Sequence, residues 1–155
     1  VDRFLSHFVN RFDAKGRISV PASFRAALGK EGFEGVFAHP ALDSPALDCG
    51  GARLLSSIHA MLDAMPPYSR DREDLSLALL GTGEILTLDS EGRMRLGERM
   101  REAIGVSDEA VFVGQGNKFQ IWEPRRFDAH LEEAKSRARA LRMNMGAQYS
   151  REPRE

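Results

Sequence analysis

The strongest constraint on the fold of this chain is that part of it is written twice. Phe12-Asp13-Ala14-Lys15-Gly16-Arg17-Ile18-Ser19-Val20 aligns with Leu88-Asp89-Ser90-Glu91-Gly92-Arg93-Met94-Arg95-Leu96 at a constant offset of 76. The alignment runs on without a gap, placing Arg25, Ala27 and Gly29 on Arg101, Ala103 and Gly105. Phe24 falls on Met100 and Leu28 on Ile104, so apolar positions stay apolar. A fold for this sequence must accommodate the same local structure in two places.

Each copy reads as strand, turn, strand and short helix. Phe4, Phe8 and Phe12 mark the entering strand of the first copy, and Ile85, Leu86 and Leu88 that of the second. Asp13 and Asp89 open the turns, and Gly16 and Gly92 stand where a positive φ is wanted, so a β-hairpin is expected in each copy. Pro21 suits the start of the first helix, while Gly29 and Gly105 are the expected C-terminal caps. Further strands are expected at Val36-Phe37-Ala38, more weakly near Leu47, at Ala110-Val111-Phe112-Val113 and at Phe119-Gln120-Ile121-Trp122. Leu54, Leu55, Ile58, Leu62 and Met65 make one helical face, stopped by Pro66-Pro67. A helix from about Ser69 to Leu80 bridges the halves, and Pro124 opens a last helix carrying Phe127, Leu131, Ala134, Ala138 and Leu141. The expected organisation is a first repeat over 4–66, a bridging helix within 67–83, a second repeat over 84–142 and a flexible tail over 143–155. A half of roughly 70 residues is marginal alone, so the halves should share a core.

Several function classes find no support. No apolar run is long enough to span a membrane, and VDRFLSHFVNRF lacks the pattern of a secretory signal. Cys49 is the single cysteine and reads as a small core residue. His7, His39, His59 and His130 are scattered, with no metal-ligand spacing. Gly81-Thr82-Gly83 and Gly114-Gln115-Gly116 lack the rest of a nucleotide-binding fingerprint and read as turns. The expectation is a cytosolic protein that is not an enzyme and holds neither metal nor cofactor.

The net charge of −1 hides an uneven distribution. Residues 1–30 carry six basic and two acidic side chains, residues 31–92 three basic and eleven acidic, and residues 93–155 thirteen basic and ten acidic. Such a dipolar surface fits phosphate held at one end, or simply a solvated surface of uneven charge.

The doubled Asp-x-x-x-Arg turn, in the segments VNRFDAKGRISVPASFR and LLGTGEILTLDSEGRMRL, together with FVGQGNKFQIWEP, resembles the MraZ family of bacterial transcriptional regulators. The similarity spans Phe4 to about Leu141. The resemblance implies an α+β fold in which two hairpin-and-helix halves form a pseudo-twofold β-barrel of the AbrB swapped-hairpin type, with flanking helices. It also implies a cytoplasmic, nucleoid-associated ring of subunits. The implied target is double-stranded DNA at short direct repeats upstream of a division and cell-wall gene cluster.

The two turns differ in charge. Arg11, Lys15 and Arg17 surround Asp13, whereas Glu91 replaces Lys15 in the second copy. DNA contact is therefore expected of the first hairpin. Arg17 is the candidate for bidentate base reading, Lys15 and Arg11 for phosphate contact, and Arg3 is a weaker candidate on the same face. The alternative for Arg17 is an ion pair with Asp13 that pins the turn. Asp13, Gly16, Asp89, Gly92 and Arg93 are expected to serve the hairpins themselves. A protein-interaction scaffold without DNA binding is the competing function.

Overall fold

The computed structural model describes residues 3–151, with side chains described as far as Ala147. Two compact units lie along the chain, one ending at Pro124 and one beginning at Arg125.

Among its described residues the first unit holds eight strands and four α-helices. In chain order they are β1 (His7–Arg11), β2 (Arg17–Ser19), α1 (Ala22–Lys30), β3 (Val36–Pro40), β4 (Ala46–Gly50), α2 (Ala52–Asp63), α3 (Arg70–Ser76), β5 (Glu84–Leu86), β6 (Arg93–Arg95), α4 (Glu98–Ile104), β7 (Glu109–Gly114) and β8 (Phe119–Trp122). α3 continues into a π-helical turn, Leu77–Gly81. Its start is capped by Ser69, whose hydroxyl accepts the backbone N–H of Arg72, with Asp71 and Glu73 in the first turn. The second unit is built on α5 (Pro124–Arg151). That helix runs through Met143 to Arg151, so the segment expected as a tail from residue 143 is helical that far. Among the described residues no helix is long and apolar enough to cross a membrane.

Six strands form one antiparallel sheet in the order β1-β7-β8-β4-β3-β5, and β2 pairs with β6 in a separate two-stranded ribbon. These ladders leave β1 and β5 as sheet edges and do not close into one barrel. The expected hairpins are also absent as ladders. Each turn closes with one strand-like bond, Asp13 N–H to the Arg17 carbonyl at 2.8 Å and Asp89 N–H to the Arg93 carbonyl at 2.9 Å. Beyond that bond the flanking strands part. β1 pairs with β7 of the other copy, and β5 pairs with β3.

This exchange follows from burial. In the ribbon Ile18 lies opposite Met94, its counterpart in the repeat, and both are buried. Alternation then sends Arg17, Ser19, Arg93 and Arg95 to the other face. The core beneath collects matching residues from both copies: Ile18 with Met94, Val20 with Leu96, Phe24 with Met100, and Leu28 with Ile104. Phe4, Phe24 and Phe119 add an aromatic cluster, with ring centroids 4.9–5.4 Å apart. A second, smaller cluster seats Leu54, Ile58 and Leu62 of α2 with Phe37 and Leu79. Cys49 is buried in the main core, and that burial pushes its thiol pKa well up.

One cap differs from expectation. α1 ends at Lys30 and the positive φ falls on Gly32, not on Gly29. The extra residues make room for Glu31, whose carboxylate accepts the backbone N–H of Arg53 at 2.8 Å. Gly105 caps α4 as expected, in the left-handed conformation.

Gly16 and Gly92 adopt φ of +80° and +78°. Each also lies under an arginine of the other copy. A Cβ on Gly92 would stand 2.6 Å from the Arg25 side chain, whereas one on Gly16 would stand 3.4 Å from Nη1 of Arg101. Arg25 is held in place, since its Nε donates to the Val20 carbonyl at 3.1 Å. Gly16→Ala should therefore cost roughly 1–2 kcal/mol from the left-handed backbone alone, and Gly92→Ala clearly more, as read from urea unfolding midpoints. Met94→Ala should cost about 2–5 kcal/mol by opening a cavity under the ribbon. Equal stability of the two glycine variants would contradict the close packing of Arg25.

Candidate nucleic-acid interface

The Asp-x-x-x-Arg spacing has a direct geometric cause. Asp13 Oδ1 accepts the backbone N–H groups of Lys15 and Arg17, each at 2.9 Å, while Oδ2 accepts Nε of Arg17 at 2.8 Å. Asp89 repeats the pattern with Glu91 and Arg93, at 2.9, 2.9 and 3.0 Å. One carboxylate thus satisfies two turn amides and aims an arginine four residues on. The backbone N–H of Arg17 is the main cause that holds the Asp13 carboxyl below its ordinary pKa, with the Arg17 side chain and the Lys15 N–H adding to it. Arg93 and Glu91 do the same for Asp89.

Both readings of Arg17 therefore have a place. Its Nε is engaged by Asp13, yet the side chain is only half-buried and stands on the outward face of the ribbon. The ribbon register sets Arg17 opposite Arg95, and Ser19 opposite Arg93. Three arginines from two copies thus share a surface about one strand pair wide. Sequence reasoning assigned that surface to the first hairpin alone.

The arginines are not equivalent. Arg93 is surrounded by carboxylates: Asp89 at 3.0 Å, Glu91 at 3.2 Å and Asp13 at 3.9 Å. Its charge is largely neutralised, and it ties the second turn to the first. Arg95 is exposed and, among the described residues, forms no ion pair with an acid. Its Nε and Nη2 donate to the Lys15 carbonyl at 3.1 and 2.7 Å. The counterpart of Arg95 in the first copy is Ser19, too short for that reach. The first turn is thus clamped from the other copy, and the second lacks this clamp.

Lys15 is exposed at the tip of the first turn, and its ammonium has no hydrogen-bonding partner among the described residues. Arg11 ends β1 and is exposed, opposite Glu109 in the ladder. Arg3 is exposed at the beginning of the described chain. β1 reaches the ribbon through Asn10, whose Nδ2 donates to the Ser19 carbonyl at 2.7 Å. Beside the first turn lies an open cleft of about 790 Å3, lined by Lys15, Arg95 and Arg101 but also by Glu98 and Glu102. Its lining thus mixes three cations with two carboxylates.

Arg95, Arg25 and Arg101 went unassigned in sequence. Arg101 covers the Phe12 ring, its Cζ 4.4 Å from the centroid, and donates to the Ser107 carbonyl at 2.7 Å. The identity of Arg25 and Arg101 across the repeat was the available signal for their shared role. For Arg95 the signal was its two-residue spacing from Arg93, which places both on one strand face.

The family model described as "MraZ protein, putative antitoxin-like" matches residues 79–144. The "Transcriptional regulator MraZ" of Beijerinckia indica subsp. indica is 56% identical over 147 residues, covering 95% of this chain and 90% of that protein. The protein of the same name from Methylocella silvestris is 51% identical over 150 residues, covering 97% and 92%. The one from Rickettsia canadensis is 36% identical over 142 residues, covering 92% and 95%. On this similarity, which includes both turns and the ribbon between them, the chain belongs to the MraZ family.

Proposed function

We propose that this chain is a sequence-specific, DNA-binding transcriptional regulator that acts as a ring of copies on short direct repeats in a promoter. The observation that carries the reading is the outward face of the β2–β6 ribbon. Arg17, Arg93 and Arg95 stand there together, with Lys15 free at the adjoining tip. A two-stranded ribbon has the width to enter a major groove, and a planar guanidinium can pair with guanine there. Arg17 is the base reader in this scheme, Lys15 contacts phosphate, and Arg11 and Arg3 extend the basic surface. Asp13, Gly16, Asp89, Gly92 and Arg93 hold the two turns. The relatives' shared name, transcriptional regulator, supports the same function.

The fold reading goes with it. Repeats over 4–66 and 84–142, joined through 67–83, form a pseudo-twofold arrangement of the AbrB swapped-hairpin type. The strand order supports this, since it matches from either end once the copies are exchanged: β1 answers β5, β7 answers β3 and β8 answers β4. One ribbon offers few phosphate contacts, and the chain is slightly acidic overall. Several linked copies reading repeated boxes gain affinity through effective concentration. The expected place of action is the nucleoid, in the cytoplasm, at a division and cell-wall gene cluster.

Gel-shift and fluorescence anisotropy with DNA from the chain's own upstream region test the proposal. Arg17→Ala should remove roughly 1–3 kcal/mol of specific binding per box while leaving the elution volume of the assembly unchanged. Wild-type affinity in that variant would overturn the base-reading role. Lys15→Ala should weaken binding to any sequence and lower the slope of log affinity against log salt by about 1. Intact assembly without DNA binding would instead favour the scaffold.

The turn carboxylates set the acid limit. Their pKa values are lowered in the fold, so their contribution is complete above the ordinary aspartate value of about 3.9 and is lost as pH falls through the folded values. The turns should stay closed at pH 5 and above and open only under stronger acid. Carboxyl 13C titration by NMR checks this; an Asp13 midpoint above the ordinary value would contradict it.

A further inference from the structure

α5 carries a second pattern that the ribbon does not use. Phe127, Leu131, Ala134, Ala138, Leu141 and Met145 follow alternating steps of four and three, the seam of a coiled coil. The burial of that seam stops halfway. Every residue from Lys135 to Ala147 is exposed, Leu141 at 60% and Met145 at 47%. The same stretch carries Lys135, Arg137, Arg139 and Arg142 and no acidic residue; Lys135 and Arg137 lie 3.8 and 3.7 Å from Glu132 and Glu133 one turn back, exposed pairs worth little energy that leave both cations available.

The flanking charges disfavour the simplest partner, a second α5. Lys135 and Arg142 line one side of the seam, and Arg137 the other. A parallel pair would set Arg137 against Arg142 of its twin. An antiparallel pair would set Arg137 against Arg137, and Lys135 against Arg142. Both orientations bring like charges together at a seam of only two apolar steps. Phosphate is also a poor match, because it gains nothing from a stripe of leucine and methionine between the charges. The surface calls for apolar groups among carboxylates.

The chain carries such a surface on α3. Leu77, just past its end, is 61% exposed. Glu73 and Asp74 lie four and three residues before it, on the same helical face, and both are exposed, as is Asp71. Arg72 is turned toward Asp63, with Nη2 3.4 Å from the carboxylate. Arg70 is the cation of this face, two turns back from Leu77.

We propose that the distal half of α5 docks on the α3 face of a second copy of this chain, with Leu141 and Met145 against Leu77 and with Arg137 and Arg142 against Glu73 and Asp74. The contact joins two different patches, so each copy offers both halves of it. Repeated by the same rotation, it is a head-to-tail contact that can close a ring. The inference deepens the assembly proposed above by naming one of its interfaces, and it rests on that assembly.

The test is a charge swap in the full chain, read by light scattering on a sizing column at low and high ionic strength. Arg137→Glu with Arg142→Glu should raise the dissociation constant of the assembly at least about tenfold, since like-charge contacts penalise docking. Glu73→Arg with Asp74→Arg should do the same. All four substitutions in one chain, or a mixture of the two double variants, should restore the wild-type mass. Far-UV circular dichroism verifies that each variant is folded. If the wild-type chain assembles and the α5 variant assembles equally well, this contact is wrong while the assembly stands. If both double variants dissociate and the swap does not recover, the pairing is wrong. A wild-type chain of single-copy mass overturns the contact and the ring together. Loss of DNA affinity with the assembly mass unchanged would also overturn it, assigning the helix to phosphate instead.

Discussion

The structure depends on Ile18 meeting Met94. These two residues hold the same place in the two copies, and their burial beneath the β2–β6 ribbon brings the two turns onto one surface. Neither copy could close a hairpin of its own and still cover a core of this size. A half-length domain buries too small a fraction of its surface. By sending β1 to β7 and β5 to β3, each copy supplies the other's missing edge. The shared core, with its four matched pairs from Ile18/Met94 to Leu28/Ile104, is a consequence of that exchange.

The exchange also explains why the turns can be so short and so polar. A turn held by a ladder would draw its rigidity from strand pairing. Here the strands part after one bond, and a single aspartate takes over, fixing two amides and a guanidinium. Arg25 then packs closely on Gly92 of the opposite turn, while Arg101 lies in looser contact over Gly16. Identical local devices thus frame positions that are free to differ. The differences at Lys15/Glu91 and Ser19/Arg95 give the ribbon its one-sided charge.

Much of this was legible in the chain because local chemistry recurs at fixed spacing. The Asp-x-x-x-Arg turns, their positive-φ glycines, the helix faces and the positions of most strands follow from period and residue type. Strand partners did not follow. Alternation tells which face a residue occupies, but not which strand lies beside it, and a strand of three residues such as Arg17–Ser19 carries almost no register information. Gly29 misled for a related reason. It matches Gly105 in the repeat, yet α1 runs on to Lys30, Glu31 bonds the Arg53 N–H, and the positive φ falls on Gly32. Arg95 was hidden because its partner, the Lys15 carbonyl, is 80 residues away.

Charge summed along the chain was the least informative quantity, and the ribbon shows why. Arg93 counts as a full positive charge in sequence but sits among Asp89, Glu91 and Asp13, so it presents little field outward. Arg95 counts the same and is exposed, donating to the Lys15 carbonyl. The acidic middle segment likewise contributes to no part of the ribbon except through Asp89 and Glu91. A net charge of −1 therefore leaves room for a basic face about one strand pair wide and for acidic surface elsewhere on the same molecule. For the proposed function, such a distribution means few phosphate contacts per copy. That favours many copies with one small contact each over one copy with a broad basic surface.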